Sequence, residues 1–140
     1  MVKRTLTDKN LVNNEQFEHY ISEAILALPE RLRKRIENVA FVVEDDERPS
    51  KNNERLIKSQ GVLLGLYQGV PLTRRSQGYS LVLPDKITIF KRPIEMLGGN
   101  NEERTRQIIH EVVHHEIGHY FGMDEQRVRA WEKKKRRSLR

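Results

Sequence analysis

Four of the five histidines of this 140-residue chain lie in one run, His110-Glu111-Val112-Val113-His114-His115-Glu116-Ile117-Gly118-His119. The run holds two successive copies of H-E-x-x-H, a spacing that has chemical meaning on a helix. Residues four apart stand about one turn apart on one face, so two imidazoles can reach a single ion from rigid backbone. The glutamate beside the first histidine points to the side of the pair. There it can take a proton from water on the ion rather than bind the ion. An offset of five residues at about 100° each turns the second pair roughly 140° from the first. One helix cannot aim both pairs at one metal, and one copy must be chosen.

The second copy continues as Tyr120-Phe121-Gly122-Met123-Asp124-Glu125. Gly122 stands where the helix can stop in a left-handed turn, after which the chain doubles back with carboxylates in reach. The first copy has Ile117 at that glycine position, and Tyr120 and Phe121 where a third ligand should come. Taking the second copy also leaves His115 and His119 in one stripe with Ile108 and Val112. The reading therefore takes His115 and His119 as metal ligands and Glu116 as the catalytic base. A catalytic zinc site needs three protein ligands and an open position. The chain has no cysteine, so histidine and carboxylate are its ligand types.

At 140 residues, with 36% hydrophobic and 33% charged residues, the chain suits one domain with a modest core. Its formal charge of +6 is uneven: residues 127–140 carry eight Lys or Arg against Glu132 alone, leaving the rest near neutral. The run 133–137 suits an anionic partner such as nucleic acid. Only Trp131 is interleaved with those charges, unlike a base-stacking platform, and a solvated helix end is the simpler reading. The opening residues lack a continuous apolar segment, so the expectation is a cytoplasmic protein with no membrane partner.

Phe17, Tyr20, Ile21, Ala24, Ile25 and Leu28 recur at helical spacing. Pro29 interrupts that helix, and Leu32, Ile36 and Val39 continue a shorter one. Ala40-Phe41-Val42-Val43 reads as a buried strand ended by the acids Glu44-Asp45-Asp46-Glu47, which read as a solvated turn, with a second metal site as the remote alternative. Residues 48–60 and 70–78 read as loops. Strands are expected over 62–67, 80–83 and 86–90, a brief helix from Pro93 to Leu97, and a long helix from Asn101, its candidate cap, through the histidines. A last helix over about 124–135 completes an α+β domain. The boundaries are a flexible segment 1–13, a domain 14–131 and a basic tail 132–140.

Several of these segments together resemble one family. Leu28-Pro29-Glu30, Asn38-Val39-Ala40-Phe41-Val42-Val43-Glu44-Asp45, Leu64-Gly65-Leu66-Tyr67-Gln68-Gly69-Val70-Pro71-Leu72, Leu83-Pro84-Asp85-Lys86-Ile87-Thr88-Ile89-Phe90 and His115-Glu116-Ile117-Gly118-His119-Tyr120-Phe121-Gly122 are similar, in order and spacing, to the small bacterial zincin-like metallopeptidases, or mini-zincins. The likeness covers about residues 15–130. It implies a reduced zincin-like fold, a small mixed sheet packed on the active-site helix with a later helix closing the site. It also implies Zn2+ on His115 and His119, Glu116 as general base, and a peptide or protein substrate cut by metal-activated water. Related patterns run H-E-x-x-H-x-x-G-x-x-D, so the third ligand falls to Glu125 by register, with Asp124 as the alternative nearer the turn. Tyr67, Tyr79 and Tyr120 are candidates to stabilise an oxyanion, and residues 78–83 a candidate edge for the substrate. His114 reads as a surface residue or a support for the site. The alternatives are a non-catalytic zinc-binding adaptor or degenerate peptidase, and a nucleic-acid-associated module using the basic tail.

Overall fold

The computed structural model describes residues 14–46, 63–69 and 84–138, with the side chains of 136–138 excepted. The expected loops at 48–60 and 70–78, the extended piece at 80–83 and the segment 1–13 lie outside the described residues. Helix α1 (Asn14–Leu26) buries Phe17, Ile21 and Ala24, and Leu28 continues the stripe into the core. Pro29 restarts the chain as a single turn, α2 (Glu30–Arg33). Asn38 then takes a left-handed φ of 55°, a conformation that asparagine tolerates better than most residues, and turns the chain into the sheet.

Three strands form that sheet: β1 (Val39–Glu44), β2 (Gly65–Gln68) and β3 (Asp85–Phe90), in the order β1-β3-β2. β1 is parallel to β3, and β2 is antiparallel to it. The central strand has Asp85, Ile87, Thr88, Ile89 and Phe90 all buried, as expected where a strand is covered on both faces. β2 is shorter than the apolar run 62–67 suggests. Leu63 and Leu64 precede the ladder, although the Leu64 carbonyl still accepts from Phe90 N at 3.0 Å. Of the acids after β1, Glu44 lies 3.8 Å from Lys86 Nζ and Asp46 pairs with Arg92 at 3.1 Å.

β3 passes directly into helix α3 (Lys91–Gly98), two residues before the proline expected to start it. Gly99 ends α3 at φ 58°. Asn101 then caps helix α4 (Glu102–Tyr120), its side chain accepting from Arg104 N at 3.0 Å, with Glu102 and Glu103 in the first turn. Those acids suit the positive end of the helix dipole. α4 is the spine of the domain. Ile109, Val113 and Ile117 are buried along it and join Phe17, Ile21, Ile87, Ile89 and Ile94 in one core. Burying each such side chain contributes roughly 1.5–3 kcal/mol. Helix α5 (Glu125–Ser138) follows a short turn and lies against α4 through Val128 and Trp131, both close to Gly118. The result is α+β, with five helices and a small three-stranded mixed sheet among the described residues. No described helix is long and apolar enough to cross a membrane.

Candidate metal centre

The end of α4 brings the two histidines together. His115 and His119 sit one turn apart with ring centroids 5.0 Å from each other. α4 then stops in a left-handed turn. Met123 N donates to Gly118 O at 3.0 Å and Gly122 N to His119 O at 2.9 Å, with Gly122 at φ 93°. This is a Schellman pattern with glycine in the left-handed position. Asp124 caps the next helix, its Oδ1 accepting from Arg127 N at 2.8 Å. That leaves Glu125 in the first turn of α5, turned back toward the histidines. Its Oε1 lies 2.9 Å from His115 Nε2 and 2.9 Å from His119 Nε2.

The opposite ring nitrogens identify the tautomers. His119 Nδ1 lies 2.8 Å from the Met123 carbonyl, which can only accept, so Nδ1 carries the hydrogen. His115 Nδ1 lies 2.8 Å from Glu132 Oε1, and a carboxylate imposes the same choice. In neutral rings, both Nε2 lone pairs therefore face the Glu125 oxygen. Three acceptors meeting at 2.9 Å repel one another unless a proton or a metal cation lies among them. The electrostatics agree in sign. Burial works against an imidazolium at His115, yet the hydrogen bonds with Glu125 and Glu132 outweigh it and raise its pKa. Burial likewise opposes charge on Glu125, but the hydrogen bonds and charges of His115 and His119 lower its pKa.

The donor set suits zinc, which takes imidazole nitrogen and carboxylate oxygen. Ligand atoms about 2.0–2.1 Å from a tetrahedral ion stand roughly 3.3 Å apart, so the 2.9 Å separations need to open by only a few tenths of an ångström. Glu116 completes the cluster. One ligand-type atom each from His115, Glu116 and His119 lie within 4.8 Å of one another. Glu116 is only 8% exposed, and its Oε1 accepts from Tyr67 N at 2.9 Å. Burial raises its pKa against the opposing pull of His119, His115 and the Tyr67 N–H. A carboxyl poised in this way is suited to taking and returning a proton.

The other expected residues lie elsewhere. Asp124 spends its carboxylate as a helix cap. His114 is neither a surface residue nor directed at the cluster. Its Nε2 lies 2.7 Å from Ala24 O on α1, its Nδ1 meets Lys135 Nζ on α5, and burial lowers its pKa to about 4. His110, of the first copy, stacks at a tilt toward His114 with ring centroids 6.2 Å apart. Tyr120 is fully buried, and its hydroxyl bonds with the backbone of Arg35 and Glu37. The Tyr67 hydroxyl donates to Asp85 at 2.6 Å. Neither hydroxyl is directed at the histidine pair. Tyr79 and residues 78–83 lie outside the described residues.

Sequence reasoning missed Glu132, the Met123 carbonyl and the Tyr67 N–H. A signal did exist for Glu132, which follows Glu125 by seven residues, two helical turns on one face. Among known protein families, the model described as zincin-like metallopeptidase matches residues 36–134. A search of curated proteins finds no match to the chain.

Proposed function

The chain belongs to the zincin-like metallopeptidase family, whose model spans more than half of it, and on that footing we propose that it is a zinc-dependent peptidase. In this reading His115, His119 and Glu125 hold the metal and Glu116 is the general base. The observation that carries it is the meeting of two Nε2 lone pairs and one carboxylate oxygen at 2.9 Å, with both rings oriented by acceptors behind them. Bound zinc would supply Lewis acidity, polarising a peptide carbonyl and lowering the pKa of a water toward about 7. The Glu116 carboxylate would take a proton from the attacking water as its oxygen bonds to the carbonyl carbon, and return it to the amide nitrogen as the C–N bond breaks. The Tyr67 N–H fixes the orientation of Glu116 for both transfers. Asp124 stays outside the ligand set in this reading, because its carboxylate closes the first turn of α5.

The test pairs metal analysis with a peptide-library cleavage assay on the parent and Glu116→Gln. The parent should carry about one zinc per chain and cut peptides. Glu116→Gln should keep the metal and lose on the order of 10²–10⁴ in rate. A variant that cuts as fast as the parent overturns the base assignment. Zinc held tightly with no peptide cut by the parent favours the non-catalytic metal protein instead.

A further inference from the structure

Helix α5 contains two acidic residues among its fourteen, Glu125 and Glu132, in the sequence EQRVRAWEKKKRRS. Both point at the same histidine pair. Glu125 Oε1 faces the two Nε2 atoms, and Glu132 Oε1 lies 2.8 Å from His115 Nδ1, with its side chain only 18% exposed. Glu132 is turned inward, in the stripe that carries buried Val128 and partly buried Trp131 against Gly118. The two rings are therefore supported differently. His119 rests on a carbonyl only four residues away in its own turn, while His115 depends on a charged group seventeen residues further along the chain.

We propose that Glu132 is a positioning residue for the metal centre: by accepting the Nδ1–H of His115 it fixes the ring's tautomer and direction and strengthens Nε2 as a donor. The proposal rests on the metal reading above and adds to it that α5 supplies both a ligand and the support of another. Ligating imidazoles are commonly held in this way through their second nitrogen, and loss of such a partner weakens metal binding by about 10- to 100-fold. The ordering of α5 and the strength of the metal site are thereby linked, since docking that places Glu125 also places Glu132.

The test measures zinc affinity of the full chain by competition with a chromophoric chelator, together with the visible spectrum of the Co2+-loaded protein. Parent, Glu132→Ala and Glu132→Gln are compared, with the melting temperature of each metal-free chain recorded alongside. Glu132→Ala should bind zinc about 10- to 100-fold more weakly and shift the Co2+ bands. Glu132→Gln, which keeps an acceptor oxygen without the charge, should recover part of the affinity. Alanine and parent affinities that agree would overturn the proposal, as would a glutamine variant no better than alanine, which would indicate helix packing alone. A parent chain that takes up no zinc or cobalt overturns the metal reading itself, and Glu125→Ala, expected to lose far more affinity than Glu132→Ala, separates the two failures.

Discussion

Replacing Gly65 by alanine tests how β2 sits on helix α4. A Cβ at position 65 would lie 2.6 Å from Val112 Cγ1, 3.2 Å from the Thr88 carbonyl oxygen and 3.3 Å from Glu116 Cγ. Comfortable carbon contacts begin near 3.5 Å, so something must move by close to an ångström. Thr88 O is backbone of the central strand and is fixed by the sheet. Val112 is β-branched on a helix, where one χ1 rotamer is strongly preferred, so it cannot swing aside cheaply. The remaining response is for β2 to lift from α4. Overpacking of this kind costs about 1–3 kcal/mol, and the reduced freedom of the unfolded chain returns about 0.4–1 kcal/mol. The steric effect wins, leaving a net loss of roughly 1–2 kcal/mol. At this chain length that corresponds to a fall in Tm of roughly 3–7 °C, followed by circular dichroism. Lifting β2 also lengthens the bond from Tyr67 N to Glu116, so peptide hydrolysis should fall more than stability alone accounts for. A variant that melts at or above the parent temperature with full activity would show that β2 does not press on α4 as described.

Tyr120→Phe keeps the buried ring but removes the hydroxyl that accepts from Glu37 N at 3.2 Å. Loss of this bond should cost about 0.5–1.5 kcal/mol, read as a lower urea midpoint at unchanged slope; an unchanged midpoint would refute the assignment. Burial beside Trp131 and His114 lowers the pKa of Lys135 to about 8. Because this folded value is below that of an unfolded lysine, about 10.4, the unfolded chain binds more protons between them. Stability from this group therefore rises with pH across that window, by less than about 1 kcal/mol once solvent screening of a half-exposed amine is allowed for. Titration followed by NMR of 13C-methylated lysines should give one midpoint near 8, and all midpoints near 10.4 would contradict the burial of Lys135.

What could be read from the sequence was whatever a local rule decides. Helical phase alone gave the α1 stripe of Phe17, Ile21 and Ala24, and a cap rule gave Asn101. The left-handed turn at Gly122 followed from glycine's freedom at positive φ. The extent of β2 was not legible, because an apolar run marks burial without marking which residues join the ladder. The Tyr67 N–H was invisible for a related reason. A backbone donor has no sequence signature, and its meeting with Glu116 depends on how an edge strand lies across a helix.

The C-terminal region shows how charge composition can conceal geometry. Residues 132–140 read as a basic tail because most of them are cationic, and a boundary placed at 131 follows naturally. Yet α5 runs through Ser138, and helical phase, not composition, decides which of its residues face inward. Counting from Glu125 in steps of three or four gives Val128, Trp131 or Glu132, and Lys135. Val128 meets Gly118, Trp131 packs over the same glycine, Glu132 reaches His115 and Lys135 reaches His114. One inward stripe thus alternates groups that dock the helix with groups that act on the histidines. The glycine inside the H-E-x-x-H run contributes to both. Its missing side chain lets α5 approach closely enough for carboxylates seven residues apart to serve one pair of rings.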